Sequence, residues 1–150
     1  MDEKKYTVAE HGKRIEEFLT KILQLANIRV KFTLTDEETP HPEFENPDIR
    51  VKFSGPDVDL LLENRSELLL ALEVLTMEAI RMGQSDHSRL SFDANDQRML
   101  RIEELRANAL AAAERVKATQ APFRFNPMNS RERRVLHLAL RDETAVRSES

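Results

Sequence analysis

The residues best suited to chemistry lie in the C-terminal part of the sequence, where residues 126–141 read Asn-Pro-Met-Asn-Ser-Arg-Glu-Arg-Arg-Val-Leu-His-Leu-Ala-Leu-Arg. In a helix that turns about 100° per residue, one sector collects the polar side chains and the rest of the arc is apolar. The residues of that polar sector are Ser130, Arg133, Arg134, His137 and Arg141. A guanidinium is a planar fork that fits a phosphate or stacks on a base, and an imidazole can donate to phosphate oxygens or stack. The spacing therefore predicts a surface for a nucleotide or a single-stranded nucleic acid.

Two further arginines lie close to this sector in sequence. Arg131 falls in the first turn of the same helix, and Arg124 lies in the segment before it, so both are predicted auxiliary contacts. Residues 115–150 carry eight Lys or Arg against four Asp or Glu, whereas the whole chain has a net charge of −4. A C-terminal segment of net positive charge in a chain of net negative charge favours an anionic partner that binds at that segment. A solvated helix face would also show a row of arginines, and that alternative stays open on charge alone.

The sequence provides little for other kinds of chemistry. It contains no Cys, which excludes a disulfide framework, a thiolate metal site and a cysteine nucleophile. It also contains no phosphate-binding loop, dinucleotide fingerprint, nucleophile elbow or zinc motif. We therefore expect no catalytic residue, no metal and no cofactor.

The composition predicts a folded cytoplasmic protein. The chain has 150 residues, of which 40% are hydrophobic and 33% charged, and this length is typical of one domain or two small ones. No apolar run approaches the roughly 18 residues of a membrane span, so no membrane association is expected. The lack of cysteine fits a reducing compartment.

The elements that position the cationic helix follow from hydrophobic periodicity. The pattern predicts a helix from Thr7 to Ala26, a strand over 28–34, a polar connection over 36–48 and a strand over 49–54 that pairs with the first. A short helix over 58–62 and a longer one ending before Gly83, a C′ glycine, come next, followed by a strand over 88–93. The order α-β-β-α-α-β is therefore expected over residues 7–93.

Further along the chain, an Ala-rich helix is predicted from Asp96 to about Thr119. Phe123 and Phe125 flank Arg124, an alternation that suits a short strand. Asn129 is predicted to cap the last helix, with Glu132 returning a hydrogen bond as in a capping box. The overall fold class is therefore α/β (α+β).

The segment with Arg133-x-x-x-His137, preceded by Pro127-Met128-Asn129 and followed by Leu138-Ala139-Leu140, resembles the R-three-H domain, a family that binds single-stranded nucleic acid or nucleotides. The preceding order of elements resembles a type II KH domain. Together the two halves resemble the bacterial Jag family, also called KhpB or SpoIIIJ-associated proteins. The resemblance implies a KH-like domain over residues 7–95, and a connecting helix with an R-three-H domain over 96–150. R-three-H domains usually continue into a further strand after the stretch that resembles residues 146–150, so the resemblance also implies either a domain trimmed at its C-terminus or a chain cut short there.

The KH half departs from the family at the loop that grips nucleic acid. A KH domain clamps the backbone with a Gly-x-x-Gly loop between its two helices, because glycine lets a phosphodiester approach the main chain. In this sequence the loop falls at Glu63, Asn64, Arg65 and Ser66, so both glycines are replaced. The Glu63 carboxylate would also repel a phosphate. The resemblance therefore implies the KH fold more securely than the KH activity.

Two hypotheses follow. The first is a non-enzymatic protein that binds single-stranded RNA, and potentially single-stranded DNA, through the cationic helix face. The alternative is a protein–protein interaction or dimerisation module whose KH-like half has lost RNA binding. Its partner would be a second copy of the chain or a small single-KH protein of the kind that the resemblance suggests.

Overall fold

The computed structural model describes residues 3–150. The chain forms two compact units, the first ending at Gln97 and the second running from Arg98 to Ser150. The elements in chain order are α1 (Val8–Leu25), β1 (Lys31–Thr35), β2 (Ile49–Ser54), α2 (Val58–Ala79), a 3-10 helix (Gln84–Arg89), β3 (Leu90–Ala94), α3 (Gln97–Thr119) and α4 (Ser130–Leu140). This α/β architecture has the predicted order of helices and strands.

The strands form a small mixed sheet in the order β1-β2-β3. β1 and β2 are antiparallel, with Leu34 opposite Val51, as the predicted pairing requires, and β3 lies parallel to β2. One face of the sheet is buried against the helices, where the rings of Phe53 and Phe92 are 5.2 Å apart. The core of the first unit joins this face to the apolar stripes of α1 and α2.

Helix ends explain why two sequence expectations were wrong. The strand predicted to start at residue 28 begins only at Lys31, because the preceding residues form the C-terminal cap of α1. The Ile28 N–H donates to Leu23 O, and Asn27 has the left-handed conformation at φ 54°. α2 ends in the same way, with Met82 N–H bonded to Met77 O and Arg81 at φ 57°. Arg81 therefore occupies the position predicted for Gly83, which lies in extended backbone before the 3-10 helix.

The turn between β2 and α2 requires a glycine. Gly55 has φ 123°, and a Cβ on it would lie 3.2 Å from Val30 Cα. Two residues later, Asp57 accepts hydrogen bonds from the Arg29 backbone N–H at 2.7 Å and from the Arg29 guanidinium. The Arg29 side chain is the main reason that the pKa of Asp57 lies below its ordinary value. This pair joins the end of α1 to the start of α2.

Buried carboxylates fix the connection between β1 and β2 and the N-terminal segment. Asp48 accepts hydrogen bonds from the backbone N–H groups of Lys5 and Tyr6 and from the Arg89 guanidinium. Asp86 accepts from Lys5 Nζ at 2.6 Å and from the Tyr6 hydroxyl at 2.9 Å. Acids that look like surface residues in the sequence therefore connect three separate parts of the first unit.

In the second unit, α3 and α4 run in the same direction. Near the start of each helix, Arg101 Nε donates to Glu132 at 2.8 Å, and near their ends Lys117 Nζ donates to Glu143 at 2.6 Å. The segment over residues 120–129 must therefore return along α3. Its ten residues span about 33 Å when extended, which is enough to cover the roughly 24 Å along α3 between Arg101 and Lys117.

This returning segment corrects one expectation. The short strand predicted at residues 123–125 is not formed, because the second unit contains no strand with which that backbone could pair. No helix within residues 3–150 combines the length and the apolar character that crossing a membrane requires.

Candidate nucleic-acid interface

The start of α4 is set by its cap. Asn129 lies in extended backbone, and its side-chain oxygen accepts the Glu132 N–H at 2.9 Å, as the sequence predicted. The Glu132 carboxylate accepts from Arg101 of α3, whereas the capping box would direct it to the Asn129 backbone. This bond raises the pKa of Arg101 above its ordinary value. The cap and the ion pair together fix where the first turn of α4 lies on α3.

The other end of α4 is held by Lys117. Its ammonium donates to Glu143, just after the helix, and to Glu114 one turn back on α3. These two carboxylates raise the pKa of Lys117. Between the two anchors, Val135 and Leu136 are buried. α4 is therefore oriented by its apolar side and by both of its ends.

That orientation leaves the predicted cationic sector facing water. Arg133, Arg134 and Arg141 are exposed, and Arg133, His137 and Arg141 follow one another at steps of one helical turn. Within residues 3–150, no carboxylate forms an ion pair with Arg133 or Arg134, and the Arg133 guanidinium donates only to the Met128 carbonyl, at 3.3 Å. Arg141 lies 3.9 Å from Asp142, an exposed and loose pair. We call Arg133, Arg134, His137 and Arg141 the α4 cationic face.

His137 is less open than its arginine neighbours. Its ring is half-buried because the segment after α4 folds back over it. Nδ1 lies 2.7 Å from the Ser148 hydroxyl, and Nε2 lies 2.9 Å from the Ser150 hydroxyl. Both ring nitrogens are thus occupied by neutral groups that a ligand oxygen can replace.

The two auxiliary arginines are separated from this face. Arg131 is half-buried and points away from it, since it precedes Arg133 by about 200° of helical rotation. Arg124 is exposed on the returning segment and lines a cavity against α3. The structure therefore brings together four of the six predicted contact residues.

The cavity beside Arg124 contains groups that sequence reasoning missed. It has a volume of about 400 Å³ and lies between the second half of α3 and the returning segment. Its aromatic wall is Phe123 and Phe125, with ring centroids 5.0 Å apart and planes at 71°. Arg115 places its guanidinium 5.6 Å from the centroid of Phe123. The Phe-Arg-Phe alternation is the available signal, but as a sequence pattern it predicts a strand.

The loop expected to correspond to the KH grip lies in the first unit. Residues 63–66 interrupt α2, as predicted, and separate helical residues 58–62 from 67–79. Glu63 is extended at φ −61°, whereas Asn64, Arg65 and Ser66 have φ of 52°, 59° and 63°. Three consecutive side-chain-bearing residues thus adopt the left-handed conformation that glycine adopts without strain.

Comparison with known proteins identifies relatives for both units. Residues 103–150 match the model of the R-three-H domain family. Over 130 residues the chain is 29% identical to the RNA-binding protein KhpB of Clostridium symbiosum, an alignment covering 87% of this chain and 56% of that protein. It is 32% identical over 89 residues to the RNA-binding protein KhpB of Bacillus subtilis (strain 168), covering 59% and 43% respectively.

The chain thus spans about half the length of the curated relatives that it matches. The matched domain contains α4 and its cationic face, and the longer of the two alignments covers most of the residues of the chain. The C-terminal unit therefore carries an R-three-H domain, and over most of its residues the chain is similar to RNA-binding proteins named KhpB.

Proposed function

We propose that this protein binds single-stranded RNA through the α4 cationic face, with Arg133, Arg134 and Arg141 on phosphates and His137 on a phosphate or a base. Arg131 and Arg124 are auxiliary contacts in this proposal. The observation that carries it is the pair of exposed guanidiniums, Arg133 and Arg134, that no described carboxylate neutralises. Such groups are available for charge-assisted hydrogen bonds to phosphate oxygens.

The family supports the same ligand class, since both relatives are named RNA-binding proteins. The proposed role is binding, without a chemical step and without a cofactor. Because charge and stacking act on any base, sequence preference is expected to be low. The cytoplasmic location expected from the sequence remains part of this proposal.

The test is a titration of fluorescently labelled single-stranded RNA against the wild type and a variant with Arg133→Ala and His137→Ala. Each charged hydrogen bond contributes about 1.5–3 kcal/mol, so the double variant is expected to bind at least about tenfold more weakly at low salt. Arg106→Ala is the matched control, because Arg106 is also an exposed arginine but lies on α3, outside the face. Equal affinities of the wild type and the double variant would refute the proposal.

The same titration with single-stranded DNA of identical sequence measures whether the ribose is recognised. The 2′-hydroxyl is the group that distinguishes RNA from DNA at a protein site. A contact made only to phosphates and base faces predicts similar affinities for the two strands. A large preference for RNA would place a hydrogen-bonding group next to the sugar.

A second role is supported by the first unit, which we propose is a KH-like domain with a degenerate loop. The helical residues 67–79 expose two adjacent large apolar side chains, Val74 at 49% and Leu75 at 46%, and the separate helical segment 58–62 exposes Leu60 at 44%. Neighbouring exposed apolar groups favour a protein interface. We propose that this helix mediates association, with a second copy of the chain or with a small single-KH protein.

Sedimentation velocity at micromolar concentration tests the homodimer. Association through α2 predicts that Val74→Lys with Leu75→Lys converts a dimer to a monomer and leaves RNA affinity unchanged. Lysines at the exposed positions Glu16 and Glu17 on α1 provide the control. A wild type that is monomeric throughout excludes self-association and leaves the heterologous partner to be tested by co-sedimentation with a single-KH protein.

A further inference from the structure

We propose that the cavity between α3 and the returning segment is a subsite for one unstacked nucleobase of a bound single strand, with the adjoining phosphate on Arg115 and Arg124. The inference rests on the proposed function and adds to it. It assigns base contacts to a surface other than the α4 cationic face, and to side chains that sequence reasoning did not select.

The wall of the cavity is built for stacking. Phe123 is 40% exposed, and the Phe125 ring packs against it edge-on. The Arg115 guanidinium carbon lies 5.6 Å from the centroid of the Phe123 ring, so the cavity is bordered by both an aromatic ring and a guanidinium. Splayed bases stack on both of these surfaces in single-strand recognition. Covering Phe123 with a base would also remove apolar surface from water.

The remaining lining residues fit the edge of a base and a phosphate. Ala111 and Ala112 of α3 are small, so they leave room for a flat ring. The carboxamides of Asn108 and Asn126 each offer a donor and an acceptor, which a base edge can satisfy. Arg115 and Arg124 are the charged groups among the residues that line the cavity, and both are cations.

The size of the cavity admits a small ligand, and its aromatic and charged lining selects which one. A volume of about 400 Å³ falls within the range of roughly 300–1,000 Å³ that is typical of small-molecule sites. An aromatic wall beside two guanidiniums complements a ligand that has a flat, uncharged ring and an attached anionic group. A nucleobase with its phosphate has this chemistry, whereas an aliphatic peptide side chain would not use the arginines.

The test compares two labelled strands of equal length and charge, a single-stranded RNA and an RNA backbone whose nucleotides are all abasic. Phe123→Ala is expected to weaken binding of the RNA by between about fivefold and a hundredfold, the range found when an aromatic stacking partner is removed. Binding of the abasic strand is expected to change by less than about twofold, because phosphate contacts remain. Phe123→Leu should behave like Phe123→Ala, since leucine is apolar but has no ring face.

Leu110→Ala is the matched control, because Leu110 is 38% exposed on α3 but does not line the cavity. Thermal unfolding of each variant checks that the domain remains folded. Wild-type RNA affinity in Phe123→Ala would overturn the base subsite, as would equal losses for the RNA and the abasic strand. The proposed function is tested separately by the Arg133 and His137 variant, so a weakened double variant beside an unaffected Phe123→Ala would refute only the subsite.

Discussion

The Nδ1 atom of His137 lies 2.7 Å from the Ser148 hydroxyl, so the segment that follows α4 covers the ring at the centre of the cationic face. A second hydroxyl, that of Ser150, meets the opposite ring nitrogen at 2.9 Å. A hydroxyl both donates and accepts, so this arrangement satisfies either neutral tautomer of the imidazole. RNA that uses His137 must therefore displace residues 148–150 from the ring.

That competition predicts a gain of affinity when the serines are removed. Each neutral hydrogen bond contributes about 0.5–1.5 kcal/mol, so Ser148→Ala with Ser150→Ala is expected to raise RNA affinity by about fivefold or more. A titration with labelled single-stranded RNA measures the change. Thr144→Ala, an exposed hydroxyl in the same segment, is the control. A loss of affinity in the double variant would mean that the serines contact RNA themselves.

Salt dependence should reveal which arginines touch phosphate. For single strands, the slope of log affinity against log salt changes by about 0.7 for each phosphate contact. Arg134→Gln is therefore expected to make the slope shallower by about this amount, because Arg134 is exposed and forms no ion pair with a described carboxylate. Arg106→Gln on α3 should leave the slope unchanged. An identical slope for Arg134→Gln would remove Arg134 from the phosphate contacts.

The interrupted helix α2 predicts opposite effects of glycine at two neighbouring positions. Ser66 has φ 63°, a backbone conformation that costs an L-residue roughly 1–2 kcal/mol in the folded state. This strain exceeds the roughly 0.4–1 kcal/mol by which a glycine stabilises the unfolded chain. Ser66→Gly is therefore expected to raise the melting temperature of the first unit by a few degrees, about 4–8 °C per kcal/mol.

Glu63→Gly is the control for that prediction, because Glu63 is exposed and extended at φ −61°, where glycine relieves nothing. It is expected to lower the melting temperature slightly through the entropy of the unfolded chain. Calorimetry distinguishes the two. A decrease for both variants would contradict the expectation that left-handed backbone at Ser66 stores strain.

Acid stability should depend on Asp86. The hydrogen bonds that it accepts from Lys5 and then from Tyr6 hold its pKa below the ordinary value of 3.8. The unfolded state takes up a proton first as the pH falls, so the stability that Asp86 contributes is present above about pH 4 and is lost below it. Asp86→Asn is expected to lower the melting temperature at pH 7, and the difference from the wild type should shrink as the pH falls below about 4. Glu16→Gln, exposed on α1, should show no such convergence.

Local patterns were sufficient to predict most of the elements and the polar side of α4. The cap at Asn129, the apolar pair Val135 and Leu136 and the polar sector of α4 all depend on helical periodicity, which repeats within a few residues. The order α-β-β-α-α-β followed from the same signal. The R-three-H motif lies in one continuous segment, so the resemblance to that domain is visible in the sequence.

The strand expected at residues 123–125 was wrong because the role of these residues depends on partners distant in sequence. Phe123 and Phe125 alternate like a strand but have no strand beside them, and they line a cavity with Asn108 and Arg115 instead. Their position follows from the Arg101–Glu132 and Lys117–Glu143 pairs, which set the direction of α4 and send the connecting segment back along α3.

The sequence by itself determined which side chains α4 presents to water, because a helix turns by a fixed angle per residue and its apolar side must be buried. Only the tertiary structure decided that His137 is covered by Ser148 and Ser150, that Asp86 is buried under Lys5 and Tyr6, and that two phenylalanines border a cavity. Those contacts join residues 11 to 81 positions apart, and no local periodicity records them.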